Sequence, residues 1–182
     1  MKTEILTIGN ELLSGAIANT NSQFINRHLS AAGYVVSRQT STSDDVETLH
    51  AILQESFERA DLLICSGGIG STCDDNTCQA VGKLLGVELE QNSDFLKHLE
   101  KTYGPDAKSM KESFIPKGGK AFYNDRGDAV SFMYQKEGKV IVLFPGFPHQ
   151  LEDLLPNQIL PYLLKNHPPK KKMFKKLFFT SE

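Results

Sequence analysis

The sequence predicts one α/β domain in which helices cover both faces of a mixed, mainly parallel sheet. Three observations predict it. Residues 61–65 are almost wholly apolar, the pattern of a strand covered on both faces, and the short run Thr3–Ile8 reads as a buried first strand. Strand-like and helix-like runs alternate three times before Gly86. With 182 residues, the chain can bury a core large enough for such layers.

Each element has its own signal. Thr3–Ile8 reads as the first strand and ends at Gly9. Residues 10–21 are rich in Gly, Ser and Asn and read as a loop or broken helix. Asn21 or Ser22 can then cap a helix that stops at Gly33, with Phe24, Ile25 and Leu29 on its inner face. Residues 34–37 read as the second strand. Asp44 can cap the next helix, with Glu47 three residues on as its reciprocal partner. Val46, Leu49, Leu53 and Phe57 follow at helical spacing. Residues 61–65 form the third strand, and a helix over about 75–85 turns Val81, Leu84 and Leu85 inward before Gly86 ends it.

The pattern changes after Gly86. Residues 92–103 are amphipathic and helical, with Phe95, Leu96 and Leu99 inward. Residues 108–119 are polar and show no period. Residues 130–135 and 140–144 read as a β-hairpin with Gly138 in its turn. After Pro145-Gly146-Phe147-Pro148, residues 149–155 are helical, Pro156 interrupts, and 158–165 resume. The expected domain spans 1–166, and 167–182, with its lysines, is expected to be a basic linker or tail in solvent.

Composition narrows the function classes. A net charge of −2 offers no overall attraction to nucleic acid or to an acidic membrane surface, so neither is expected as a partner. No apolar run approaches the roughly 20 residues of a membrane span, and the amino-terminal apolar run is too short for a signal peptide. Cys65, Cys73 and Cys78 form neither an even disulfide set nor a common zinc spacing, which suits reduced thiols in the cytoplasm. The five histidines are scattered, and there is no GxSxG elbow. A nucleophilic role for Cys73 is disfavoured.

The stretch with chemical content is CSGGIGSTCDDNT, residues 65–77. Gly67, Gly68 and Gly70 let the backbone approach a ligand and point successive N–H groups into one concavity. The helix that follows adds a partial positive charge at its N-terminus. Ser71 and Thr72 add hydroxyls. The loop is neither GxGxxG nor a P-loop, since the P-loop lysine is missing. A tight strand-to-helix turn capped by Asp75 is an equally good reading of the loop alone. Asp74 and Asp75 can likewise be a first-turn acid and a cap, or can hold a divalent metal against a phosphate. Glu11 and Asp44 stand at other expected strand ends, where ligands bind in open α/β sheets, and can be further ligands or can orient a water.

Taken in order, Ile8-Gly9-Asn10-Glu11-Leu12-Leu13-Ser14-Gly15, Asn19-Thr20-Asn21, Asp44, residues 66–72 and Asp74-Asp75-Asn76-Thr77 resemble the molybdopterin-binding-like (MoaB/MogA-type) domain, more specifically the N-terminal domain of the CinA competence/damage-inducible family. Ile115-Pro116-Lys117-Gly118, Asn124, Gly127 and Leu143 to Pro148 match its second half, so the resemblance runs over about residues 3–165. There are departures. Ser71 replaces the family's usual Pro, Cys73 a common Lys or Arg, and Gly127-Asp128-Ala129-Val130-Ser131 a GTAPG segment. Glu112 and Ser113 follow Lys111 where the family has QA.

The resemblance implies a three-layer α/β/α sandwich and a metal-dependent ADP-ribose pyrophosphatase that releases AMP and ribose 5-phosphate. It implies Mg²⁺, with Mn²⁺ or Co²⁺ as alternatives, on Asp74, Asp75 and Glu11. Asp44 would position metal or water, and Lys111 would join the catalytic set. Phosphate and nucleotide contacts fall to Gly67, Gly68, Gly70, Ser71, Thr72, Asn10, Thr20, Asn21, Asn124, Gly127, Pro145 and Gly146. A nucleotide-type substrate and a homodimer are the implied partners. Molybdopterin adenylyl transfer or binding is the alternative enzyme-class reading, and a non-catalytic nucleotide-binding domain is another. Whole CinA proteins continue into a region that deamidates nicotinamide mononucleotide, so no deamidase activity is expected of this chain.

Overall fold

The computed structural model describes residues 1–70, 76–104, 111–124, 127 and 129–169. In chain order the strands are β1 (Thr3–Ile8), β2 (Val36–Thr42), β3 (Leu62–Ser66), β4 (Leu89–Gln91), β5 (Phe114–Pro116), β6 (Lys120–Phe122), β7 (Ser131–Lys136) and β8 (Lys139–Phe144). The helices are α1 (Asn10–Leu13), α2 (Thr20–Ala31), α3 (Val46–Arg59), α4 (Thr77–Leu85), α5 (Ser93–Tyr103), α6 (Pro148–Leu154) and α7 (Leu160–Asn166). Six strands form one sheet in the order β2-β1-β3-β8-β7-β6. The first four run parallel, and β7 and β6 are antiparallel. The small β4–β5 pair is antiparallel and separate.

Alternation along the central strands creates the three layers. Ile5, Leu62, Ile64, Val140, Val142 and Phe144 face α2, α6 and α7, where Ile25, Leu29, Leu151, Leu154 and Leu163 are buried. Leu6, Leu63, Cys65, Ile141 and Leu143 face the other way, against Leu49 and Leu53 of α3, Val81 and Leu85 of α4, and Phe95 and Leu99 of α5. A strand with apolar residues on both faces, such as β3, can only sit between two helical layers. The expected three-layer mixed sheet is therefore the observed one. Arg59, at the end of α3, holds both carboxylate oxygens of the buried Glu4 on β1, at 3.2 and 3.0 Å. That fork fixes α3 across the sheet.

Five expectations change. The second strand is Val36–Thr42, displaced from 34–37. It is polar because it is the sheet's edge, with β1 as its one neighbour. The α2 cap is Asn19, whose carbonyl accepts from Ser22 N–H, which frees Asn21 for another task. The α3 cap is Asp45, one residue beyond Asp44, accepting from Thr48 N–H at 2.9 Å. Within 108–119, Lys111–Ser113 form a 3₁₀ turn and Phe114–Pro116 pair with Leu89–Gln91. Three residues are too few to show a period. Pro156 does not stop the last helix. Leu155–Ile159 form a π-helical turn that joins α6 to α7, and such a bulge accommodates a proline that lacks its N–H.

Candidate functional site

Because β1, β2, β3 and β8 run parallel, their C-terminal ends share one edge of the sheet. The segments Gly9-Asn10-Glu11, Asp44-Asp45, Gly67-Gly68 and Pro145-Gly146 all leave that edge. Hydrogen bonds tie them together. Gly9 N–H donates to Thr42 O and Gly67 N–H to Phe144 O, both at 3.0 Å. Asn21, from the start of α2, spans the gap between β3 and β8. Its Nδ2 donates to Ser66 Oγ at 3.0 Å and to Gly146 O at 2.8 Å, while Ser66 Oγ donates to Pro145 O at 3.2 Å.

The glycine loop is built by steric necessity. Gly67 and Gly68 have φ of 111° and 70°. A Cβ on Gly67 would collide with the backbone carbonyl oxygen of Ile8, and one on Gly68 with the hydroxyl of Thr77. The loop thus lies flat against the end of β1 and the start of α4, which a side chain would prevent. Gly68 O accepts from Thr77 N–H at 3.0 Å. Thr77 is fully buried, and its Oγ1 has no hydrogen-bond partner among the described residues. Asn76 occupies the N-cap of α4 without making a side-chain cap bond. Ser71 and Thr72 of the expected phosphate contacts and Asp74 and Asp75, two of the three expected metal ligands, lie outside the described residues, as does Cys73.

The other expected site residues divide by location. Asp44 Oδ2 accepts from Asn10 N–H at 3.0 Å, so these two share the turn after β1. Glu11 is exposed and lines a small cavity of about 70 Å³ with Thr7, Thr20, Asn21, Ser66 and Gly146. Lys111 lines a second cleft of about 200 Å³ beside Gly70, Cys78 and Gln79. Asn124 donates to Asp153 Oδ2 at 2.8 Å, and Gly127 abuts Gln150, so both pack on α6. Among the described residues, no group of three His, Cys, Asp or Glu side chains is placed to hold a metal. Pro145 is buried, and its carbonyl serves Ser66. No helix among the described residues is long and apolar enough to cross a membrane.

Electrostatics separate reactive from inert groups. Cys65 is fully buried, and burial pushes its thiol far above the usual range, which makes it an inert core residue. The Thr48 N–H at the start of α3 holds the Asp45 carboxyl below its ordinary value. Sequence reading passed over Ser66, Asn19 and Thr77 as site residues. Asn19 Nδ2 donates to Thr7 Oγ1 at 2.8 Å and to Ser41 Oγ at 3.3 Å, closing the β1–β2 side of the edge. The available signal for Thr77 was its position as the first helical residue after the glycine loop.

A mixed, mainly parallel α/β sheet with a glycine loop and carboxylates gathered at its strand ends belongs to the open α/β class, whose ligands bind at that edge. The chain belongs to the family described as probable molybdopterin binding domain, whose model matches residues 4–165. A Caldicellulosiruptor bescii protein named as competence-damage inducible is 35% identical over 170 residues, covering 91% of this chain and 41% of that one. A Pyrococcus abyssi protein is 37% identical over 176 residues, covering 90% of this chain and 70% of its own length. The chain thus spans about two-fifths of the length of its competence-damage inducible relatives. Among solved structures, CinA of Thermoplasma acidophilum, a protein of unknown function, aligns with a TM-score of 0.79 at 31% identity, covering 91% of this chain and 96% of that one. MoaB of Thermus thermophilus shares the fold, with a TM-score of 0.58 at 19% identity over 93% of this chain and 99% of that one.

Proposed function

We propose that the chain binds a nucleotide-type phosphate ligand over Gly67–Gly70 and hydrolyses the pyrophosphate of a nucleoside diphosphate sugar, ADP-ribose first among them. The carrying observation is the loop itself. Gly67 and Gly68 press backbone against Ile8 and Thr77 at the shared strand edge, beside a buried Thr77 hydroxyl that lacks a partner among the described residues. A phosphate oxygen would supply the partner that this hydroxyl lacks among the described residues.

The exposed carboxylate of Glu11, together with Asp74 and Asp75, is an all-oxygen donor set of the kind that suits Mg²⁺, Mn²⁺ or Co²⁺. A bound divalent ion would polarise phosphorus–oxygen bonds and lower the pKa of a bound water. Asp44 holds the Asn10 backbone and so positions Glu11, the next residue. Asn21 commits both amide hydrogens to protein acceptors, which leaves its carbonyl oxygen to accept from a ligand hydroxyl rather than to bind phosphate.

The test is AMP release from ADP-ribose with Mg²⁺, Mn²⁺ or Co²⁺, by the wild type and by Asp75→Ala. AMP from the wild type alone supports hydrolysis; equal background from both sinks it. The family description favours a second reading, molybdopterin binding or adenylyl transfer. ATP-dependent modification of molybdopterin, with ADP-ribose left intact, would favour that reading.

A further inference from the structure

Two depressions flank the first turns of α4, and Gln79 lines both. The smaller, about 200 Å³, contains Gly70 and Lys111. The larger, about 360 Å³, lies between α3 and α4 and has a different character. Val46 and Ala80 supply apolar walls, His50 a half-buried ring, and Asn76 and Gln79 two amide side chains. Val46 is 54% exposed, one of few large apolar side chains among the described residues left open to solvent. Asn76 immediately precedes α4, so the groove begins where the glycine-loop region ends.

We propose that the α3–α4 groove is the nucleobase subsite of this protein. The inference rests on the nucleotide reading above and adds where the base goes. A purine needs flat apolar contact on its faces and paired donors and acceptors at its edge. The imidazole of His50, with Val46 and Ala80, offers the first. Asn76 and Gln79 offer the second, since each amide both donates and accepts. Lys111 gives the smaller cleft a cation with no carboxylate among its described lining residues, whereas Lys83 in the larger groove is accompanied by Glu47, so the smaller cleft better suits the anionic end of the ligand. The groove's volume also falls in the range of small-ligand sites, roughly 300–1,000 Å³, and the cleft's does not. A ligand bound across Gln79 would therefore place its base on the α3 side and its phosphates toward Gly70 and Lys111.

The experiment is calorimetric titration with AMP, with ribose 5-phosphate, which is a sugar phosphate without the base, and with pyrophosphate. His50→Ala removes the stacking ring, and Val46→Trp, at a position that lines the groove and not the smaller cleft, fills it. Each is expected to weaken AMP binding about tenfold while leaving pyrophosphate and ribose 5-phosphate unchanged. Unchanged AMP affinity in both variants, with wild-type binding intact, overturns the base subsite and leaves the loop reading standing. A wild type that binds none of the three overturns the nucleotide reading, and this inference falls with it. Both positions lie on the surface of α3, and matching thermal melts establish that each variant is folded.

Discussion

The two edges of the sheet use the same backbone device to opposite ends. At the strand edge that carries the site, Gly67 has a φ of 111° and is pressed against the carbonyl of Ile8. At the opposite edge, Gly138 has a φ of 78° in the β7–β8 turn, with nothing within 4 Å of where its Cβ would stand. One glycine is needed for conformation and close approach, the other for conformation alone. The difference separates a turn that merely reverses the chain from a loop that holds backbone where a ligand can reach it.

The largest test of that contrast is Gly67→Ala. The added methyl meets backbone that cannot move aside, and the residue is strained as well, so a loss of about 3–5 kcal/mol is expected. Thermal unfolding should fall by about 10 °C. A near-neutral result would mean that the loop is not packed against β1. Asn21→Ala comes next. It leaves the Gly146 carbonyl without its donor at the β3–β8 gap and should cost about 1–3 kcal/mol. If calorimetry finds AMP binding unchanged in that variant, Asn21 is only a strut.

Gly138→Ala should cost about 1–2 kcal/mol, because only the left-handed backbone opposes it. Urea denaturation with an unchanged m-value is the measurement. A loss as large as that of Gly67→Ala would erase the contrast between the edges. The smallest effect belongs to Tyr34, at the opposite edge, whose hydroxyl donates to His167 O at 3.0 Å. Tyr34→Phe should cost about 1 kcal/mol at neutral pH. Burial raises the Tyr34 phenol from 10.0 to about 12. A raised folded-state value means that the contribution is whole below pH 10 and is lost as pH rises toward 12. Stability curves of wild type and Tyr34→Phe should therefore converge over that window.

Much of this was legible in the chain. The apolar run of β3 announces a strand buried on both faces, and with the alternation of strand and helix signals before Gly86 it points to helices on both sides of the sheet. The hairpin was legible because its turn glycine sits between two strand-like runs. Other elements were hidden for physical reasons. β2 is a polar edge strand whose pairing, rather than its side chains, makes it a strand. β4 and β5 are three residues each and exist because they pair with one another. The caps of α2 and α3 shifted by one or two residues because several neighbouring Asn, Asp and Ser side chains are chemically able to cap. Only the geometry selects Asn19 and Asp45.

At the site, residue type and position identified Gly67, Gly68, Glu11 and Asp44 as worth attention, since glycines and carboxylates at strand ends have few other uses, whereas Asn21 read as a helix cap and joined the site only through the family resemblance. The sequence by itself determined the layers, the polarity of the site edge and the residue types available there, because periodicity and backbone sterics are local properties. Only the tertiary structure decided what each group is free to do. Long-range hydrogen bonds consume the Asn21 amide at Ser66 and Gly146, seat Asp44 on Asn10, and leave the buried hydroxyl of Thr77 without a partner among the described residues. Contacts between residues far apart in the chain cannot be read from either one alone.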